Sequence, residues 1–233
     1  MKTLTYAFWG CIAILAASLC KVMARLDDTR YITAYTGLNS TGAHYHFTGY
    51  VPDLSEMQMN DSISSACGTG IWILYDGMNY SSNPTGYFCS TPAVSKCWNY
   101  KDVCQKGSSL RYAGSPYGLN DDYYNLYEDN DFHGKEFKGN TNAADLGDLD
   151  QAVSSLIVIG QSAWTFYSGQ DFTGVSVCVY TNATVTNADI ELDFIILMDM
   201  LGLPDNSIRS VARGCLGELV AGAEPAVPGP RLN

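Results

Sequence analysis

Short apolar runs, each bounded by Gly, Asn, Asp or Ser, recur along this chain, and long amphipathic helical periodicity is scarce. "RYITAYT" (30–36), "GIWILYD" (70–76), "SSLIVIG" (154–160), "AWTFYSG" (163–169) and "GVSVCVY" (174–180) are rich in aromatic and β-branched residues. Such residues suit a pleated surface, so each run predicts a strand. Short strands punctuated by turn residues predict an all-β sandwich or barrel. The segment "DIELDFIILMDMLGL" (189–203) reads two ways, as a short helix in a long connection or as a strand and turn. Residues 1–24 stand apart: Lys2, then "YAFWGCIAILAASLC", then "KVMA" with Val22 and Ala24 at the small-residue positions. This is the pattern of a signal peptide cleaved before Arg25. An apolar run of about 15 residues falls short of the roughly 20 that span a bilayer. A secreted, extracellular chain without a transmembrane segment is expected.

Four segments repeat one another. "IWILYDGMNYSSNPTGYFC" and "AWTFYSGQDFTGVSVC" share a Tyr (Tyr75, Tyr167), a second aromatic five residues on (Tyr80, Phe172), and then Gly and Cys. "ITAYTGLNSTG" and "YNLYEDNDFHG" share a Tyr (Tyr35, Tyr127) and a Gly seven residues later (Gly42, Gly134). The four units close on "NDSISSACGTG", "KGSSLRYAG", "AVSSLIVIG" and "NSIRSVARGC". They fall into two pairs, predicting a domain at 25–113, a Gly/Pro/Asn/Asp linker at 114–121 and a domain at 122–216. The Pro- and Gly-rich stretch 217–233 is expected to be unstructured.

These units resemble the βγ-crystallin family of Greek-key proteins. "YEDNDFHG" (127–134) and "YSGQDFTG" (167–174) reproduce its Tyr-x4-Phe-x-Gly hairpin signature. The first unit departs from it with Ser40 in place of the second aromatic, and the second with its Gly displaced to Gly86. The resemblance spans residues 31–215 and implies two Greek-key sandwich domains of two units each.

It also implies calcium. Calcium-binding members carry Asn/Asp-Asn/Asp-x-x-Ser/Thr-Ser before the last strand of a unit, and a hairpin residue of the partner unit lends a carbonyl. Ca²⁺ takes six to eight oxygens, so carboxylates, hydroxyls, carbonyls and water must all contribute. "NDSISS" fits throughout, with Asn60, Asp61, Ser62, Ser64 and Ser65, and Asp76 as hairpin partner. "DQAVSS" keeps Asp150, Ser154 and Ser155 but has Gln151 at the second place, with Ser168 as partner. "DNSIRS" keeps Asp205 and Asn206, with Glu128 as partner, yet sets Arg209 at the hydroxyl position. "CQKGSS" (104–109) has lost both leading residues and brings Lys106, whose charge opposes a divalent ion. Turns rich in Ser, Asn and Asp also cap their own backbone without any ion.

Thirteen Lys and Arg against 24 Asp and Glu give the chain a net charge of −11. Cleavage after residue 24 removes Lys2 and Lys21 and makes it more negative still, so no nucleic-acid partner is expected. The eight cysteines become six on losing Cys11 and Cys20, an even number that suits disulfides in an oxidising compartment. If the halves fold separately, Cys178 must pair with Cys215. The first half allows three pairings, of which Cys67–Cys89 with Cys97–Cys104 is favoured. Sequons begin at Asn39, Asn60, Asn79 and Asn182; a glycan on Asn60 would crowd the ion, so that site is expected to be unmodified.

The histidines His44, His46 and His133 have no evident catalytic partners, and "HYH" reads as a surface pair rather than a zinc or copper site. No nucleophile elbow, P-loop or zincin helix occurs, and no carboxylate pair stands out for glycoside hydrolysis. A non-enzymatic protein is expected. It is either a secreted calcium-binding protein whose ion stabilises the fold, or a recognition or defence module (toxin-like, membrane-active or glycan-binding) on the same scaffold. The fold alone does not choose between them.

Overall fold

The computed structural model describes residues 30–81, 84–89, 95–100, 106–181 and 192–221, with backbone alone for 84–89 and 192. The expected signal peptide, the sequon at Asn182, Cys104, the side chain of Cys89 and residues 222–233 lie outside the described residues. The first half contains β1 (Tyr31–Tyr35), β2 (His44–Phe47), β3 (Ser65–Thr69), β4 (Ile71–Tyr75), β5 (Pro84–Cys89), β6 (Lys96–Asn99) and β7 (Ser109–Ala113). The second contains β8 (Tyr123–Tyr127), β9 (Glu136–Gly139), β10 (Ser155–Ile159), β11 (Trp164–Tyr167), β12 (Ser176–Val179), β13 (Leu192–Ile195), β14 (Ser210–Arg213) and β15 (Leu219–Ala221). The ambiguous segment is a strand and turn: β13 is followed by a single 3-10 turn, Met198–Leu201.

The sheets run β2-β1-β3-β6, β5-β4-β7, β9-β8-β10-β13 and β14-β11-β12-β15, two to each half. In each half one strand leaves its own unit for the sheet of the other. β6 joins β3, and Val51, from the first unit, bridges Leu110 in β7. In the second half β13 joins β10, while Ala143 bridges Val211 in β14. This reciprocal exchange makes each half an all-β, two-sheet Greek-key domain.

The exchange corrects the expected cysteine pairing. Cys67 is bonded to Cys97, not Cys89, because β6 lies beside β3 with Cys67 and Cys97 directly opposite, whereas β5 is in the other sheet. Cys178 and Cys215 are bonded as expected, with Cα atoms 5.0 Å apart. Order also runs past the expected domain end. β15 pairs parallel with β12, beside the backbone that the Cys178–Cys215 bond anchors, so Leu219–Ala221 is strand rather than free tail.

Each domain has its own apolar core, and a third cluster joins them. β4 is buried along its whole length. Trp72 and Leu74 point into the first core, while Ile71, Ile73 and Tyr75 face the second domain. β10 does the same: Leu156 and Val158 face inward, Ile157 and Ile159 meet the first domain. A continuous apolar run marks a strand with neither face in water. Leu119, in the linker, packs into this seam. The linker is held as well, with Ser115 Oγ donating to Asp121 Oδ2 at 2.9 Å and Gly114 N–H to Asn125 Oδ1 at 2.8 Å.

Arg111, on β7 and 1 % exposed, crosses the seam. Its guanidinium donates to Tyr75 Oη (2.9 Å), Gly134 O (3.0 Å) and Phe132 O (2.7 Å), and lies over the rings of Tyr75, Tyr80 and Tyr127. A buried charge is tolerable only with such partners. Nearby, Glu136 accepts from Tyr50 Oη at 2.6 Å and pairs with Lys138 at 3.0 Å, a second polar link between the halves.

Candidate cation-binding clefts

Each unit begins with a folded hairpin whose two central residues are both left-handed: Asn39–Ser40, Asn79–Tyr80, Asp131–Phe132 and Asp171–Phe172. The aromatic of the pair packs on the leading Tyr, with centroids 5.6 Å apart for Tyr127–Phe132 and 6.0 Å for Tyr167–Phe172. Gly134 follows at φ +71, a backbone region that favours glycine, and a Cβ there would also crowd Glu128 Cβ at 3.0 Å.

The last serine of each motif pins that hairpin. Ser65, Ser109, Ser155 and Ser210 accept the N–H of Ser40, Tyr80, Phe132 and Phe172. The same hydroxyls donate, each at 2.6 Å, to the carbonyls of Gly37, Gly77, Asp129 and Gly169. These serines therefore have a structural task in all four units, whether or not an ion is bound. The second motif position is constrained too: Asp61, Gln151 and Asn206 have φ of 53, 58 and 59. Asn and Asp tolerate that region better than most residues, so part of the motif serves the backbone.

The two ends of one motif do not serve one site. In the second domain the arches run side by side, Asn206 N–H reaching Val153 O (3.2 Å) and Gln151 N–H reaching Ile208 O (3.3 Å). This sets Ser154 beside Asn206, its hydroxyl donating to Asn206 Oδ1 at 3.2 Å. Ser154 N–H also binds Tyr127 O at 2.9 Å, which places Glu128 alongside. Glu128, Ser154, Asp205 and Asn206 thus line one cleft of about 880 Å³, with Gln151 and Ala152.

The opposite ends, Asp150 and Arg209, form the companion place. Arg209 N–H binds Tyr167 O at 2.8 Å, so Ser168 is next to it. The Arg209 guanidinium grips Asp150 through Nε (2.8 Å) and Nη2 (2.6 Å), and Gln170 donates to Asp145 and Asp150. Arg209 holds the Asp150 carboxyl below the usual carboxylate range. The chain supplies its own cation here.

"NDSISS" divides in the same way. Asp61 N–H binds Gly107 O at 2.9 Å, and Ser108 N–H binds Tyr75 O at 2.7 Å, bringing Asp61, Ser108 and Asp76 to one end. Asn60 donates to Asp61 Oδ2 at 2.9 Å, and Ser62 Oγ to Met59 O at 2.9 Å. Ser64 is at the other end, its N–H on Tyr35 O at 2.8 Å. Ser108 and Ala152 were not singled out in the sequence; the side-by-side arches bring them to the clefts.

Among the described residues no three His, Cys, Asp or Glu side chains converge to hold a metal by themselves. The Glu128–Asn206 cleft offers hydroxyl, amide, carboxylate and carbonyl oxygens together, a donor set that fits a hard cation such as Ca²⁺. His133, in its wall, is 6 % exposed, and its Nε2 has no partner.

The profile of the Peptidase inhibitor family I36 matches residues 120–179. No curated protein sequence matches the chain. Among solved structures, geodin, a beta-gamma crystallin from Geodia cydonium, aligns over 79 % of this chain and 99 % of its own at 20 % identity, with a TM-score of 0.59. A beta-gamma crystallin from Ciona intestinalis aligns over 39 % of this chain and 98 % of its own, at 24 % identity and a TM-score of 0.32. A betagamma-crystallin from an archaeon aligns over 40 % and 99 %, at 25 % identity and a TM-score of 0.33. With two sheets per domain, strands exchanged between paired units and a geodin likeness running through both halves, the chain has the βγ-crystallin fold.

Proposed function

We propose that this is a secreted, non-enzymatic, calcium-binding βγ-crystallin-like protein whose ion stabilises the fold. The observation that carries the reading is the Ser154–Asn206 pair with Glu128 and Asp205 around one cleft, since it joins oxygen donors from two arches and a hairpin. Asp61 with Asp76 and Ser108 offers a second site of the same kind in the first domain. The bonds Cys67–Cys97 and Cys178–Cys215 support an oxidising destination. Among the described residues no helix is long and apolar enough to cross a membrane.

Titration of the chelator-stripped protein with CaCl₂ tests the reading. Extracellular calcium at about a hundred times Kd adds roughly 2.7 kcal/mol to a fold that alone binds the ion. A melting temperature that is the same in calcium and in chelator would dismiss it.

A second reading, a recognition or defence module, is favoured by the I36 match over residues 120–179. Inhibition of a panel of secreted peptidases at stoichiometric protein would establish it, and no inhibition would remove its support.

A further inference from the structure

The second-domain cleft is not walled by the second domain alone. Asp76, which follows β4 in the first domain, lines it together with Glu128, Asp129, Asp131 and Asp205. No Lys or Arg is among its described wall residues. Of the acidic wall residues, Glu128 pairs with the exposed Lys135 at 3.8 Å and accepts its N–H at 3.1 Å. The neighbouring cation, Arg111, spends its donors on Phe132 O, Gly134 O and Tyr75 Oη. Five acidic residues from two domains therefore line one space, of which Glu128 is engaged by Lys135, and the like charges on its two sides repel across the seam.

His133 is the independent sign of an occupant. Its Nδ1 lies 2.7 Å from Asn130 O. A carbonyl only accepts, so Nδ1 carries the hydrogen and Nε2 presents a bare lone pair. That lone pair is buried with no donor. The water shell of a bound cation supplies O–H donors of the kind it lacks.

We infer that a divalent cation in this cleft is shared by the two domains, with the Asp76 carboxylate of the first domain adding to the pull of the second-domain oxygens. The inference rests on the calcium reading above and goes beyond it by making the ion a coupler of domains. Among the described residues no three His, Cys, Asp or Glu side chains converge to hold a metal by themselves, so the part assigned to Asp76 is attraction across space or through water. Coupling is reciprocal: whatever Asp76 adds to ion affinity, the ion returns to domain pairing.

Calorimetric titration of the full chain with CaCl₂ tests this, in an Asp61→Ala background so that the second-domain cleft is what is read. Adding Asp76→Asn is expected to weaken binding about three- to tenfold at low salt, as for one charge several ångströms from a divalent ion. Asp76→Glu, which keeps the charge, should stay within about twofold of the background. The gap should close as salt rises from about 0.02 to 0.5 M. In the wild type, calcium should also slow hydrogen exchange at the interface amides of β4. Equal affinity with and without the Asp76 charge, or β4 protection indifferent to calcium, overturns the shared-ion inference while leaving calcium binding intact. A wild type that takes up no calcium removes both.

Discussion

Arg209 lies across Asp150 with two charge-assisted hydrogen bonds of 2.8 and 2.6 Å, at the place where the companion motif would present an ion to Ser168. The guanidinium both neutralises the carboxylate and repels a divalent cation. Arg209→Ser should free Asp150, restore a hydroxyl, and make the calcium-dependent rise in melting temperature larger than in the wild type. In chelator the variant should melt somewhat below the wild type, because it loses a bidentate, part-buried ion pair. No added calcium response in calorimetry would show that Asp150 and Ser168 cannot complete the site.

Adjacent serines should separate the two tasks. Ser155 holds the hairpin, taking Phe132 N–H at 3.0 Å and giving its proton to Asp129 O at 2.6 Å. Ser155→Ala leaves both unmet in a buried place and should cost about 1–3 kcal/mol with or without calcium. Ser154→Ala loses the hydroxyl facing Asn206 and should cancel most of the calcium-induced stabilisation of the second domain while sparing the chelated protein. Denaturant unfolding of both variants in calcium and in chelator reads the contrast.

Much of this was legible in the chain, and the losses have one cause. Tyr127–Phe132 and Tyr167–Phe172 repeat a local hairpin, so their spacing announces it. The runs "GIWILYD" and "SSLIVIG" announce strands, though not that Ile73 and Ile157 would meet across a domain seam. What the sequence hides is contact between units. Cys97 meets Cys67 because β6 changes sheets, Asp61 meets Ser108 because arches run side by side, and nothing in "SSLRYAG" marks Arg111 as the charge that a second domain covers. The division of "NDSISS" between two places has the same origin: a linear motif shows which oxygens exist, not which arch completes them.

Arg111 should decide whether the domains unfold together. Arg111→Ala strands the Gly134 carbonyl, leaves Phe132 O only its bond from Tyr75 Oη and empties the space under three tyrosine rings; an unmet buried carbonyl costs about 1–3 kcal/mol, and the cavity adds to it. Lysine should not rescue it, since its single ammonium cannot reproduce the planar fork to two carbonyls. Urea unfolding should change from one transition to two as the seam loosens. A single transition at the wild-type midpoint would place the coupling in the apolar seam alone.

The Cys178–Cys215 bond closes a sequence separation of 37 residues. In the chain-entropy account it contributes about 3–4 kcal/mol. Replacing both by Ala should lower second-domain stability by that order and free β15, whose partner β12 carries Cys178. Faster hydrogen exchange at Leu219–Ala221 than elsewhere in that sheet would mark the release.

His133 should make the fold acid-sensitive. Burial lowers its pKa below the ordinary histidine value, opposed in part by its hydrogen bond to Asn130 O and by Asp131 and Asp129. A lowered histidine pKa means that the unfolded chain takes up the proton first, at about pH 6.5. Stability from this group is therefore whole above that pH and falls as pH drops through 6.5 towards the folded value, with a limiting slope of about 1.4 kcal/mol per pH unit. Unfolding free energies measured in chelator between about pH 7.5 and 5 should decline for the wild type. In His133→Gln, whose amide does not titrate, the decline should be shallower over that window. Parallel curves for the two proteins would mean that the imidazole is not the group that titrates.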